Sequence, residues 1–474
     1  MDTECIAQQL DFHVLGRREV VGRFDGGRIT SDGGGMLLRE VDLKLGLSAR
    51  LARCFTDYRN PNSIEHSVQE LVAQRVYGLA LGYEDLTDHD SLRSDSALAM
   101  MVGKRDLTGE DRNRQRDRDY PLAGSSTLNR LELSTPEAAE HHRYKKIAAD
   151  PDALDRLLVD LFLDAYETPP QEIWLDLDAT DDPLHGHQEG RFFHGYYRCY
   201  CYLPLYIFCG EHLLCARLRP SNQDGAAGSI EELTRIVAQI RARWPTTKIL
   251  IRGDSGFCRD AIMSWCEDQG VSYVLGLARN ERLQRALGKE TAEAQAEHES
   301  TGKSARRFRD FRYRTHDSWT CERRVVGKAE VLPGKHNPRF VVTNLPISRA
   351  GGKQLYEELY CIRGEMENRI KEQQLGLFAD RTSTATMRAN QLRLYFSSFA
   401  YVLMHGLRRL GLAGTQHARA QCTTIRAKLL KIGARIRITV RKAWLSFSEA
   451  CPYADDLAQI LANIRRYPAW APPA

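Results

Sequence analysis

The octapeptide Ile173-Trp174-Leu175-Asp176-Leu177-Asp178-Ala179-Thr180 decides how this chain is read. Its alternation puts Ile173, Leu175 and Leu177 on one face of a β-strand, and Asp176 and Asp178 on the other, near the strand end. A second run, Lys248-Ile249-Leu250-Ile251-Arg252-Gly253-Asp254, has the continuous apolar centre of a short buried strand and also stops on a carboxylate. Between the two, residues 192–208 read as two antiparallel strands broken near Pro204, and 213–218 continues the sheet. Ile230, Leu233, Ile236, Val237 and Ile240 then form the stripe of a helix that ends near Trp244-Pro245. A helix over 259–268 and a strand over 271–278 follow. Three antiparallel-type strands, then helix, strand, helix, strand, predict an α/β core. Ligands of such sheets bind at the carboxyl ends of strands. A lone strand-end Asp is usually a turn residue. Two of them, with Thr180 and Ser255-Gly256 just beyond, make a candidate pocket.

Working outward, the segment Tyr360-Cys361-Ile362-Arg363-Gly364-Glu365-Met366-Glu367-Asn368-Arg369-Ile370-Lys371 has polar residues at helical spacing. On a regular helix Tyr360, Arg363, Glu367 and Lys371 share one stripe, while Glu365 points away. By itself this could be a surface helix with i, i+4 ion pairs. With the two strand-end aspartates, Glu367 completes a set of three carboxylates, the oxygen donors that hard divalent cations take. Asp176 competes with Asp178 for the first position, and the Asp-x-Thr context favours Asp178. His185 and His187 make an incomplete zinc set and read as loop residues at the edge of the site.

Between the core and this helix, a polar helical stretch (280–299) and strands over 308–313, 323–327 and 339–343 predict a β-rich insertion. Trp319 within it either stacks on nucleic-acid bases or packs in a core. Upstream, Thr30-Ser31-Asp32-Gly33-Gly34-Gly35 before Met36-Leu37-Leu38 reads as a turn entering a helix, since no phosphate-loop pattern is matched. Thr301-Gly302-Lys303-Ser304 mimics the end of a P-loop but lacks its first glycine, Glu297 standing there. Helices are expected over 63–82 and 91–102, then a charged loop over 104–120. A Gly/Ser turn enters a short helix at 122–131, whose Asn129 and Arg130 contact DNA if it is the second helix of a helix-turn-helix, an ordinary helical hairpin being the alternative. Asp150-Pro151 caps a helix to about 164, and Thr168-Pro169-Pro170 marks a boundary.

Lys and Arg exceed Asp and Glu by 67 to 62 in 474 residues, a weak bias overall. From Tyr401 onward, however, twelve Lys/Arg face only Glu449, Asp455 and Asp456. That asymmetry favours a polyanionic partner, and the sequence leaves open whether the basic segment binds DNA or mediates dimer contacts. The twelve cysteines form no C-x-x-C pair. With no secretory signal at the acidic start, the expectation is reduced thiols in a cytoplasm. No apolar run reaches the ~20 residues of a membrane span.

Asp178-Ala179-Thr180, Arg252-Gly253-Asp254-Ser255-Gly256-Phe257 and Tyr360-x2-Arg363-x3-Glu367, in that order, resemble the DDE transposases of bacterial insertion sequences, the group with the Y-R-E-K signature. The stretches Asp176–Pro183 with His185-Gly-His-Gln-Glu189, Gly82-Tyr83-Glu84-Asp85 and Leu122–Glu132 resemble one branch of that group, so the similarity covers most of residues 20–410. The resemblance implies an RNase H-like mixed sheet flanked by helices, with helical terminal regions. It implies a DNA-binding N-terminal region (1–168), a catalytic core in two parts (169–279 and 349–411, the second carrying the Glu helix), the β-rich insertion between them (280–348) and a basic C-terminal region (412–474). Asp178, Asp254 and Glu367 are then the catalytic, metal-binding residues for two Mg²⁺ ions, with Mn²⁺ as the alternative, and Tyr360 and Arg363 contact phosphate. The group's Lys falls seven residues after its Glu, where this chain has Gln374; Lys371, on the same stripe, is the candidate substitute. The implied activity is metal-dependent DNA cleavage and strand transfer at the ends of an insertion sequence. Its partners are double-stranded DNA (terminal inverted repeats and target) and a second copy in a dimeric synaptic complex, in a bacterial, nucleoid-associated setting without membrane. A DNA-binding repressor with an inactive core, and an RNase H-like nuclease without strand transfer, are the competing readings.

Overall fold

The computed structural model describes residues 9–471. The chain divides into two compact units, one made of 1–149 together with 403–474, the other of 150–402. Among the described residues no helix is long and apolar enough to cross a membrane.

The unit over 150–402 is a mixed α/β structure around a nine-stranded sheet. It opens with α1 (Pro151–Leu163), whose cap is Asp150: its carboxylate accepts the N–H groups of Asp152 and Ala153 at 3.0 and 3.1 Å. The sheet strands are β1 (Glu172–Ala179), β2 (Leu205–Cys209), β3 (His212–Arg217), β4 (Lys248–Gly253), β5 (Ser272–Leu277), β6 (Ala305–Tyr313), β7 (Arg323–Leu332) and β8 (Arg339–Thr343), with the two-residue strand Lys335–His336 on β7. They lie in the order β3-β2-β1-β4-β5-β8-β7-β6. β2 pairs antiparallel with both β1 and β3, whereas β1, β4 and β5 run parallel. The parallel crossovers pass through α2 (Ser229–Arg243) and α3 (Asp260–Asp268). The expected strand pair over 192–208 divides differently. Only β2 joins the large sheet, while Cys199–Tyr202 pairs with Phe192–His194 on one side and Asp182–Pro183 on the other in a small sheet of their own.

Both faces of the large sheet are covered, as parallel strands require. Ile249 and Ile251 of β4 face one apolar cluster with Leu175, Leu177 and Ile236, and Leu250 faces another with Leu355 and Leu359. The same rule explains the strands of 280–348. Val325 and Val342 enter the first cluster and Val326 and Val341 the second. A segment with two apolar faces needs cover on both sides, so β6, β7 and β8 extend the central sheet from β5 rather than folding beside it.

The other unit is not purely helical. Its helix Val68–Leu81 starts at a reciprocal cap, the Ser67 hydroxyl accepting from Glu70 N at 3.2 Å and the Glu70 carboxylate from Ser67 N at 2.8 Å, and ends on Gly82 at φ +96°. The strand Arg28–Thr30 pairs with Ala434–Ile438, which pairs with Ala443–Phe447. The triple glycine is a close-approach device. Gly33 N–H donates to Ile432 O at 2.9 Å, and a Cβ on Gly34 would lie 1.8 Å from Leu429 O. An N-terminal hairpin, Gln9–Leu15 with Arg18–Arg23, is exposed on nearly every residue.

Candidate active site

Register assembles the site. In the parallel pair β1–β4, Asp176 stands opposite Arg252 and Leu177 opposite Gly253, so Asp178 and Asp254 leave the sheet side by side at the carboxyl ends of the strands. Asp254 is anchored by its turn, Oδ1 accepting from Gly256 N at 2.8 Å. Asp178 Oδ1 accepts the N–H of Ala179 at 3.0 Å. Burial is the main reason that the Asp178 carboxyl is pushed up to about 6. Arg363 pulls it down, while Asp254 and Glu367 push it further up.

The third carboxylate arrives on α4 (Glu365–Leu377). Arg363 stands between the two walls, its guanidinium 4.0 Å from Asp178 and 3.8 Å from Glu367. Arg363 Nη1 is buried without a hydrogen-bond partner among the described residues. Glu365 is exposed and takes no part in these ion pairs, as the helical phase required.

The stripe Tyr360–Lys371 is not one regular helix. Leu355–Tyr360 is a π-helical turn and Cys361–Gly364 a 3₁₀ turn before α4 begins. The wider turn alters the phase of Tyr360 relative to α4. Its hydroxyl lies so near Gly276 of β5 that a Cβ there would be 2.5 Å from it, 3.0 Å from Ser255 N and 3.1 Å from Asp254 C. Burial raises the Tyr360 hydroxyl's pKa, Arg363 opposes this, and Asp254 adds to it.

Asp176 is committed elsewhere. Its two oxygens accept from Arg252 Nε and Nη2 at 2.6 and 2.7 Å, both side chains buried. Arg252 also donates to Leu359 O at 2.8 Å and lies 4.7 Å from the Trp174 ring centroid. The residue that sequence reasoning missed is Tyr197, from the turn between the two short strands of the small sheet. Its hydroxyl donates to Ala179 O at 3.4 Å; burial, then Asp181, Asp178, Tyr196 and Asp254, push it up to about 12. Nothing in a Tyr-Tyr pair inside a loop announces that role.

Lys371 is exposed one turn beyond Glu367 and has no ion pair among the described residues, while Gln374 donates to Asp181 O at 3.2 Å. His185 and His187 are exposed. Asn129 and Arg130 are exposed on the helix Ser125–Leu133 of the other unit. The stacking expectation for Trp319 is corrected: it is 4% exposed, packed edge-on against Tyr313 at 5.7 Å, and its apolar ring fills core space instead of offering a face to a base.

Three carboxylates with no nitrogen or sulfur donor among them suit a hard divalent cation. In this arrangement, with Arg363 among them, no three His, Cys, Asp or Glu side chains of the described residues converge closely enough to hold one.

Comparison with known families matches residues 12–469 to the family described as transposase DDE domain group 1. A cryo-EM structure of the piggyBac transposase synaptic complex with hairpin DNA is similar at a TM-score of 0.41 and 10% identity, covering 84% of this chain and 79% of that one. No curated protein sequence matches the chain. The family match runs from the exposed N-terminal hairpin through both units, carboxylates included, and the chain therefore belongs to the DDE-domain transposases of group 1.

Proposed function

We propose that this transposase cleaves DNA at the ends of an insertion sequence and joins the freed strand to a target, using an RNase H-like core. The observation that carries the reading is Asp178 beside Asp254 at adjacent strand ends, with Arg363 linking Asp178 to Glu367, and the Asp178 carboxyl pushed up to about 6 mainly by burial, Arg363 opposing and the two other acids adding to the rise. Acids held together against their own repulsion suit a site that receives positive charge. The strand order supports the core assignment: the first five strands lie 3-2-1-4-5, with 3-2-1 antiparallel and 1-4-5 parallel.

Asp178, Asp254 and Glu367 would hold two Mg²⁺ ions, or Mn²⁺ in their place. When bound, such ions polarise the scissile phosphate and lower the pKa of the attacking hydroxyl. The chain's own residues orient the reaction. Arg363 neutralises the carboxylates in the ion-free arrangement and stabilises charge on a phosphate brought beside them. Tyr360, wedged against Gly276 and Asp254, fixes the strand-end turn and offers its hydroxyl to a phosphate oxygen. Lys371 adds an exposed cation one turn further along. In the first step water attacks a phosphodiester at the element end, and the P–O bond to the 3′ oxygen breaks, leaving a 3′-hydroxyl. In the second, the oxygen of that hydroxyl attacks a target phosphodiester and forms a new P–O bond while the target's own P–O bond to its 3′ oxygen breaks. The proton passes to solvent, and the departing oxygen becomes a target 3′-hydroxyl. The partners are duplex DNA and a second copy in a synaptic complex, in a bacterial cytoplasm at the nucleoid.

The test incubates the full chain with Mg²⁺ and duplexes carrying its own element's ends. Cutting and joining are expected. Glu367→Ala should abolish both while end binding persists, and cleavage retained by that variant would overturn the assignment. Cutting without joining identifies a nuclease; binding without cutting identifies a repressor.

A further inference from the structure

The unit built from 1–149 and 403–474 contains a cavity of ≈ 680 Å³ far richer in cation than the chain's near-even charge suggests. Six arginines line it: Arg59, Arg93, Arg112, Arg114, Arg116 and Arg130. Against them stand Glu65, Asp90 and Asp117. Arg112 is paired with Glu65 at 3.0 Å and Arg93 with Asp117 at 3.1 Å, while Arg59 is held by Asp57 at 2.7 Å. Arg114 and Arg130 have no carboxylate partner among the described residues; Arg130 lies only over the Tyr144 ring, at 5.0 Å. Arg93 Nε and Arg112 Nε are buried donors with no hydrogen-bond acceptor among the described residues.

A buried histidine in the wall is hydrogen-bonded to one of these arginines. His66 is buried, its Nε2 accepts from Arg112 at 2.6 Å, and its pKa is pushed down to about 2. Burial is the largest cause, and the four cations Lys104, Arg112, Arg59 and Arg93 add to it. Gly124, Ser126 and Thr127, at the start of the helix Ser125–Leu133, also line the cavity, and there the Asp90 carboxylate already accepts from the Ser125 N–H at 2.8 Å and the Ser125 hydroxyl at 2.7 Å. The planar guanidinium forks are the groups of this cavity that suit phosphate oxygens.

We propose that this cavity is a phosphate-binding site that takes the sugar–phosphate backbone of the DNA on which the transposase acts. It rests on the proposed function for the identity of the DNA, but it is a site separate from the three carboxylates. It also changes the role expected for Arg130, from reading a base in a helix-turn-helix to positioning a backbone.

The variant Arg114→Gln/Arg130→Gln tests it, because both side chains are exposed and their loss breaks no ion pair, so folding is preserved. Binding of the full chain to duplexes carrying the element ends is measured without divalent ions over a range of salt. Losing two phosphate contacts should flatten the slope of log K against log[salt] by roughly 1.8 and weaken binding about tenfold at moderate salt. A control, Arg285→Gln/Lys289→Gln, removes the same charge from the other unit and should leave the slope unchanged. Equal slopes for wild type and the cavity variant, or an equal loss in the control, would overturn the proposal. A cavity variant that loses competition by inorganic phosphate yet binds duplex like wild type would also overturn it, by assigning the site to a free anion. The two readings fail separately: cleavage that vanishes in wild type leaves the cavity's salt slope to be read on binding alone.

Discussion

Asp176 and Asp178 differ by two positions and by everything that matters to their chemistry. Asp176 faces Arg252 in a fully buried bidentate pair. Removing one member of such a pair leaves an uncompensated buried charge, so Asp176→Ala should destabilise the protein by about 3–5 kcal/mol in denaturant unfolding. Asp178 is the reverse case. Its folded carboxyl titrates at about 6 against an ordinary value of 3.8. The folded chain therefore binds more protons between those values, stability falls as pH rises through that window, and the cost is constant above it. Asp178→Asn should stabilise the metal-free protein by up to about 3 kcal/mol at neutral pH, a gain that vanishes below about pH 4, while DNA cleavage is lost. A melting curve at both pH values checks it. Alternation made both residues legible as one face of a strand. Which of the two was neutralised depended on pairing register, because Arg252 meets Asp176 only once β4 is aligned on β1.

At the scale of elements, the segment before α4 departs from what sequence periodicity describes. Leu355-Tyr356-Glu357-Glu358-Leu359-Tyr360 is made of ordinary helix formers, and nothing in it announces a π turn. Glu367 and Arg363 were legible because their spacing of four survives locally, whereas the place of Tyr360 against Gly276 was not. That contact yields a prediction. Gly276→Ala would drive a methyl into the Tyr360 hydroxyl and the backbone of Ser255 and Asp254. It should lower stability by about 1–3 kcal/mol and reduce cleavage by displacing Asp254. Adding Tyr360→Phe removes the nearest obstacle and should recover part of the thermal stability, leaving the strain of the backbone contacts. The strands over 305–343 were legible as strands, yet their membership of the central sheet was not. It follows from Val325-Val326 and Val341-Val342 being buried on opposite faces, and adjacent apolar pairs are equally compatible with a separate two-layer module.

At the scale of the molecule, one unit is continuous in sequence and the other is assembled from both ends of it. Arg28–Thr30 pairs with Ala434–Ile438, Gly34 abuts Leu429, and a Cβ on Gly46 would fall 2.2 Å from the Trp470 ring. A chain stopped at residue 402 should therefore lose protease resistance over 9–149 and keep it over 150–402, as limited proteolysis with mass mapping would show. Composition hinted at this through the basic tail, but a local pattern carries no information on which distant segment completes a fold. The same arrangement has a temporal consequence. Residues 9–149 leave the ribosome first, and their packing partners leave it only after the whole intervening unit has been translated, a delay of about 10 s or more at ordinary elongation rates. A premature stop just after residue 402 would release a nascent polypeptide with Asp178, Asp254 and Glu367 complete and the unit that holds the arginine-lined cavity without its C-terminal partners, so that such a truncated product would carry the proposed catalytic residues without the proposed phosphate site.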